Sequence, residues 1–274
     1  MCSTTNRSAI AVLTRGYGDI QQYQMLIERN RAIDRYLPDK TVDLLFFHEG
    51  NILPDHQRHI QQSTPSLNMK FINIKENGRA FSEDKQNISV FPYTSMFPMS
   101  YRHMCSFWFC YVYDFLVEYD YILRIDEDCE IAFDLSALWI LLKDKLMISG
   151  ASEDDEDYVT YGLNQFTLDF LARNQLRGIP KVPGGPYTNL AGFNLIKIRE
   201  NRLIQDYIRE VEKHNGIYIY RWGDMPLWGE ILYYFCDPSD YLETDLIRYK
   251  HHSHRAEVHS GKVFRDYSSQ KLQR

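Results

Sequence analysis

The stretch YDYILRIDEDCEI, residues 119–131, runs an apolar segment into three consecutive acids, Asp126, Glu127 and Asp128. Tyr121, Ile122, Leu123 and Ile125 read as a strand that belongs in a core. A D-x-D tripeptide at the end of such a strand can present two carboxylates to one divalent ion, and hard oxygen ligands suit Mn²⁺ or Mg²⁺. A second cluster, Asp155, Glu156 and Asp157, sits in SEDDEDY among polar residues. It reads as a solvated loop, so context separates the two clusters where the tripeptide does not.

Outward from that strand, short apolar runs alternate with segments of helical period. SAIAVLTR reads as the first strand, DIQQYQMLIERNRAIDRYL as an amphipathic helix stopped by Pro38, and TVDLLFFHE and MKFINI as the next strands. SYRHMCSFWFCYVYDFLVEY reads as one long aromatic helix feeding YILRI, KLMISGA as a strand, and NLAGFNLIKI as another. LNQFTLDFLARN, ENRLIQDYIREVEKHNG and DMPLWGEILYYF read as helices. This alternation predicts an α/β fold, a mixed and mostly parallel Rossmann-like sheet flanked by helices, in a single domain over residues 1–274. Ligands of open sheets bind beyond the carboxyl ends of the strands, which would put Arg15 and the acids after YILRI in one cleft.

Composition bounds the partners. Of 274 residues, 44% are hydrophobic, enough for one large core. The formal charge of −6 argues against wholesale binding to nucleic acid. Five cysteines, Cys2, Cys105, Cys110, Cys129 and Cys236, include no C-x-x-C pair, so free thiols are expected. The N-terminal apolar run, Ala9 to Leu13, is too short for a signal peptide, and no other segment has the length of a membrane span. The chain as it stands reads as cytoplasmic.

The segment from Ser100 to Ile131 resembles the signature region of the fungal α-mannosyltransferases of glycosyltransferase family 15, where a Y-R-x-M-C-R-F helix leads into a W-R-V-E-P-D strand end. LTRGYGD is similar to that family's first strand with its arginine, and ISGASED to the start of its acceptor-side loops. NLAGFNLIKI resembles its S-N-F-E-I strand, RWGDMP its R-W-G-D-A-P, and YKH its Y-x-H. These blocks occur in order along most of the chain.

The resemblance implies a GT-A fold, with residues 1–130 mainly serving the nucleotide-sugar and metal and residues 131–274 mainly the acceptor. It implies transfer of mannose from GDP-mannose to a glycan or glycoprotein hydroxyl, with Mn²⁺ as cofactor. Asp126 and His251 fall on the family's metal ligands, with Asp128 at the second acidic place. Without the motif, His251 would read as a solvated member of KHHSH, and His252 and His254 keep that reading. Arg15 falls on an arginine near the donor nucleotide, with a surface salt bridge as its alternative. Tyr101 falls at the donor–acceptor junction, with helix packing as its alternative, and Arg102 and His103 beside it are candidates to face the cleft. Asp224 falls near the acceptor and also suits an N-cap for a helix starting at Met225 and Pro226. Trp222 could stack on a sugar, but core is the safer expectation. VPGGPYTN is expected to shape the acceptor side or simply to connect.

Three departures carry weight. The arginine after Y-R-x-M-C is Ser106, E-P-D has become D-E-D, and the family's candidate nucleophilic glutamate falls at Asn194. An amide cannot form the glycosyl ester of a double displacement. The expectation is therefore front-face retention, or inversion, with Asn194 stabilising the oxocarbenium face. Another donor such as a UDP-sugar, or an inactive glycan- or nucleotide-binding protein, stands as the alternative. Family members are held in the Golgi by an N-terminal span, which would apply here if an anchor had been removed.

Overall fold

The computed structural model describes residues 6–265. The strands are β1 (Ser8–Leu13), β2 (Asp43–His48), β3 (Asn68–Asn73), β4 (Tyr121–Ile125), β5 (Cys129–Ile131), β6 (Met147–Ser149) and β7 (Ser152–Asp154). They continue with β8 (Gly184–Pro186), β9 (Leu190–Asn194), β10 (Tyr241–Glu243), β11 (Tyr249–His251), β12 (Ala256–His259) and β13 (Lys262–Arg265). Seven of them form the main sheet in the order β10-β6-β9-β4-β1-β2-β3. β9 alone runs antiparallel to its neighbours β4 and β6; the other pairings are parallel. The expected mixed, mostly parallel sheet is present, and the carboxyl ends of β1 and β4 share one edge.

Burial follows the period of the strands. In β1 and β2, Ala9, Ala11, Leu45 and Phe47 enter one apolar layer, while Ile10, Val12, Leu44 and Phe46 enter the layer on the other face. Both faces of these strands are therefore covered, which is why their sequences run nearly continuously apolar instead of alternating. The helices α1 (Gln24–Tyr36), α2 (Pro54–Ser63), α3 (Met99–Ser106), α4 (Ser136–Leu142), α5 (Leu163–Arg173) and α6 (Leu195–Glu200) precede α7 (Arg202–His214), α8 (Gly216–Tyr220) and α9 (Asp224–Tyr234). α7 shows the local logic: Asn201 accepts from the Ile204 amide at its start, and Ile204, Tyr207, Ile208 and Val211 form its buried stripe. Asn215, at φ 60°, ends it in the left-handed region.

Three expectations change at this level. The long aromatic helix is α3, followed by a π-helical turn over Phe107–Tyr111 and a 3-10 turn over Val112–Phe115, and the helix stops there. NLAGFNLIKI is a strand only to Asn194, where the chain turns into α6. The acidic SEDDEDY begins as β7, paired antiparallel with β8 from VPGGP. β8 presses on α9: a Cβ on Gly229 would stand 1.6 Å from the Gly184 carbonyl oxygen, so glycine is needed for that approach. Cys105, Cys110, Cys129 and Cys236 are free thiols, and Cys2 lies outside the described residues. No helix among the described residues is long and apolar enough to cross a membrane.

Candidate active site

A second sheet, β13-β12-β11-β5, completes the site. β5 starts one residue after the acids and pairs with β11 in a register that sets His251 opposite Cys129. His251 thereby stands beside Asp128, with Nε2 3.1 Å from Oδ1. The turn between β4 and β5 closes with the Cys129 amide donating to the Asp126 carbonyl, while the Asp126 amide donates to Asn189 just ahead of β9.

Each acid finds a different partner. Asp126 receives two hydrogen bonds from the Arg124 guanidinium, at 2.9 and 3.1 Å, and one from Asn189 Nδ2 at 3.2 Å. Glu127 turns toward the loop after β1 and accepts from the Thr14 and Tyr17 hydroxyls at 2.5 and 2.7 Å. Asp128 accepts from the Ser253 amide at 2.8 Å and pairs with His251. Burial opposes ionisation of Asp128, but His251 and Ser253 outweigh it and hold the carboxyl well below its usual range.

These donors fit a hard or borderline divalent ion. Asp128 and His251 present a carboxylate and an imidazole to the same point, and Asp126 Oδ2 and His251 Nε2 both lie within 3.5 Å of Asn189 Nδ2. Cys129 Sγ is also close to Asp128 and His251. It belongs instead to the core, because burial raises its thiol pKa well above normal and a protonated thiol is a poor ligand for Mn²⁺ or Mg²⁺.

A cleft of about 600 Å³ opens on this cluster. Tyr101, Trp108, Arg124, Asn189, Arg221 and Asp224 line it together with the acids, His251 and the loop from Glu153 to Glu156. Arg124, buried and lying 4.4 Å above the Trp108 ring, donates to Asp126 and, at 2.5 Å, to Asp224. Burial alone would lower its pKa; the two carboxylates reverse that and raise it. Asp224 is the first residue of α9 rather than its N-cap, which is Gly223, and its carboxylate is spent on Arg124. The Tyr101 hydroxyl accepts from Arg221 at 2.7 Å and, with burial raising its pKa well above 10, keeps its own proton to donate into the cleft. Arg221 also pairs with Asp155 at 3.2 Å. Asp155 was expected in a solvated loop; it lines the cleft because β7 and β8 hold its loop over the mouth.

Asn194 lies elsewhere. Since β9 is antiparallel, Asn194 pairs with Tyr121 at the start of β4, whereas Leu190 pairs with Ile125 beside the acids. Its side chain is buried and fully used, accepting from the Lys197 amide to cap α6 and donating to the Leu142 carbonyl. Four residues of strand separate it from the acid edge, so it does not face the cleft. Arg102 and His103 also turn away: Arg102 binds the Thr94 and Tyr218 carbonyls, and His103 stacks on Phe81 and contacts the Tyr218 hydroxyl. Arg15 lies over the Tyr17 ring in an adjoining hollow of about 400 Å³ that shares Glu127, Asp128 and Ser253 with the cleft. His252 is exposed near Glu130, but His254 stacks on His251 at 4.5 Å and lines the cleft. Trp222 is buried, as expected of a core residue.

Sequence reasoning passed over Arg124, Asn189 and Arg221. Arg124 had a signal, a lone cation inside an otherwise apolar strand, which a buried position tolerates only with acidic partners. Asn189 and Arg221 sit in loops and are recognisable only once the strands are placed.

No protein-family model and no curated protein sequence matches the chain. Solved structures do. The mannosyltransferase Ktr4p from S. cerevisiae aligns over 90% of this chain and 70% of its own, with a TM-score of 0.74 and 17% identity. Core-mannan synthase A from Aspergillus fumigatus aligns over 92% and 76%, with a TM-score of 0.73 and 16% identity. Mouse xyloside xylosyltransferase 1 follows at 0.54 with 12% identity, over 88% and 86%. The chain therefore has the GT-A fold, in the form found in the fungal mannosyltransferases.

Proposed function

We propose that this protein is a metal-dependent glycosyltransferase that moves a hexose, with mannose from GDP-mannose as the first candidate, to a glycan hydroxyl. The observation that carries the reading is the meeting of Asp126 and Asp128, beyond the central strand, with His251 of a separate sheet, in one cleft of a mannosyltransferase fold. Asp126, Asp128 and His251 would hold Mn²⁺, which when bound supplies positive charge for a departing diphosphate. Core-mannan synthase A is described in a form with Mn and GDP, which supports that pair as the first ligands to try.

The hollow beside Arg15 and Tyr17 adjoins Asp128 and has room for a nucleoside. Arg124 fixes the positions of Asp126 and Asp224 together, so that the donor side and the acceptor side share one rigid cation. Tyr101 offers its proton between them. Asp224 and Asp155, two carboxylates of the cleft wall, are each bound to an arginine, which lowers their nucleophilicity. That favours front-face attack: the acceptor oxygen bonds to C1, the C1–phosphate bond breaks, and the departing phosphate oxygen takes the acceptor's proton. Orientation of the acceptor hydroxyl then becomes the main contribution of the protein.

The test is release of free nucleotide from a panel of sugar nucleotides, with and without Mn²⁺, followed by NMR of any transfer product. The reading expects Mn²⁺-dependent GDP release from GDP-mannose, exceeding UDP release from UDP-sugars, and a product anomer matching the donor. Absence of turnover with every donor would contradict it.

A further inference from the structure

Beside the catalytic cleft, a run of stacked aromatic side chains leads from the buried Trp222 out to exposed rings at the surface. His214 and Trp222 stack at 5.0 Å with ring planes 3° apart, Tyr220 lies 5.7 Å from Trp222 at 24°, and Phe91 stacks on Tyr161 at 4.8 Å and 25°. Tyr93 extends the strip from Phe91. Two hydrogen bonds hold it in shape: the Phe91 amide donates to the Ile219 carbonyl, and the Trp222 side-chain Nε1 donates to the Tyr161 carbonyl. The outer rings remain in solvent, with Tyr161 55% exposed and Tyr93 69% exposed. Core packing does not account for rings left in water at that level.

A surface hollow of about 550 Å³ runs along this strip. Tyr161, Tyr220 and the exposed His214 form its aromatic side, with the buried Trp222 behind them, and Gln165, Asp169 and Lys213 offer hydrogen-bonding groups. An apolar plane edged by mixed donors and acceptors suits a pyranose, whose C–H face packs on a ring while its hydroxyls need polar partners. The chain links this hollow to the cleft within one residue. Arg221, at φ 70°, lies between Tyr220 and Trp222 of the strip, and its guanidinium turns into the cleft over Phe97 and Tyr101.

We propose that this strip is a secondary glycan-binding site, which holds sugar units of the acceptor remote from the reacting hydroxyl. The proposal rests on the transferase reading above for the word acceptor, and names the acceptor class as an oligosaccharide rather than a single sugar. The strip would then act as a ruler that favours longer acceptors. It would affect KM and leave the chemistry at Asp126, Asp128 and His251 unchanged.

The test compares mannose with a manno-pentasaccharide as acceptors for the full chain and for Tyr161→Ala and Tyr93→Ala, both at exposed rings. Expected is a rise of about two- to tenfold in KM for the pentasaccharide, the range for losing one aromatic contact, with kcat for it unchanged. Turnover with mannose and donor hydrolysis should stay at the native level, and Tyr161→Trp should restore the native KM. An equal change for both acceptors, or none with the pentasaccharide, would overturn the proposal. Calorimetric titration of the pentasaccharide without donor separates this from a failure of the transferase reading. Binding that weakens in Tyr161→Ala upholds the strip even if no donor is consumed, and absence of binding to the native chain overturns it.

Discussion

Three adjacent carboxylates at the end of a core strand are tolerated because each is claimed by a different element. Arg124 of the same strand holds Asp126, the hydroxyls of Thr14 and Tyr17 hold Glu127, and His251 with the Ser253 amide holds Asp128. Asn194 shows the opposite case, a residue singled out by alignment whose atoms have no access to the cleft. Its amide closes a helix start and a buried carbonyl, so its loss should cost stability and not chemistry. Asn194→Ala is expected to destabilise the fold by about 1–2 kcal/mol. Nucleotide release per folded molecule should match the native protein. A large fall in turnover at unchanged thermal stability would restore Asn194 to the reacting centre.

Among the elements, the strands were the most legible. β1, β2 and β4 announce themselves as apolar runs because both their faces are covered, and α7 because its stripe repeats at helical spacing with caps at both ends. What could not be read was direction and register. Nothing within LAGFN states that β9 is antiparallel, yet that single fact moves Asn194 to the far edge and brings Asn189 to the acids. The β5–β11 register likewise depends on two segments more than a hundred residues apart. The change of winding after α3 is also a tertiary effect, as the aromatic rings from Phe107 to Tyr111 are all buried and their packing overrides the helical period. The contact of β8 with α9 offers a test of how closely this scaffold shapes the cleft. Gly229→Ala forces its Cβ into the Gly184 carbonyl, so the two elements must separate. The expected cost is about 1–3 kcal/mol, read as a fall of roughly 2–4 °C in Tm per kcal/mol. Because β8 leads directly into Tyr187 and Asn189, KM for the donor should rise as well. An unchanged Tm would show that β8 and α9 are not in the contact described.

At the scale of the whole molecule, the edge of the sheet opposite the acids carries its own charge cluster. Asp43 at the start of β2 is buried, and it receives hydrogen bonds from Lys70, Tyr119 and Arg7 at 2.7, 2.7 and 3.0 Å. Burial pushes its pKa up, but these partners together bring it below the usual value. A carboxyl depressed on folding adds stability that is complete above the unfolded pKa, about 4, and is lost as pH falls through the lower folded value. Urea midpoints measured from pH 6 down to pH 3 should therefore fall in the native protein and fall less in Asp43→Asn. At pH 6 that variant should be less stable by on the order of 2 kcal/mol. Parallel acid profiles for the two proteins would remove this cluster from the account. The aromatic strip, the acid turn and this charge cluster occupy separate regions, so acceptor length, metal dependence and acid stability should vary independently among variants.

The central proposal is that Asp128 and His251, brought together by the β5–β11 pairing, form the metal-dependent seat of a nucleotide diphosphate. Calorimetric titration of GDP into the native chain, with and without Mn²⁺, measures this directly, with Asp128→Ala and His251→Ala alongside. The predicted result is GDP binding that requires Mn²⁺ in the native chain and is weakened at least tenfold in both variants, while each variant keeps a cooperative thermal transition. GDP binding of equal strength with and without Mn²⁺, or binding that both variants retain in full, would contradict it.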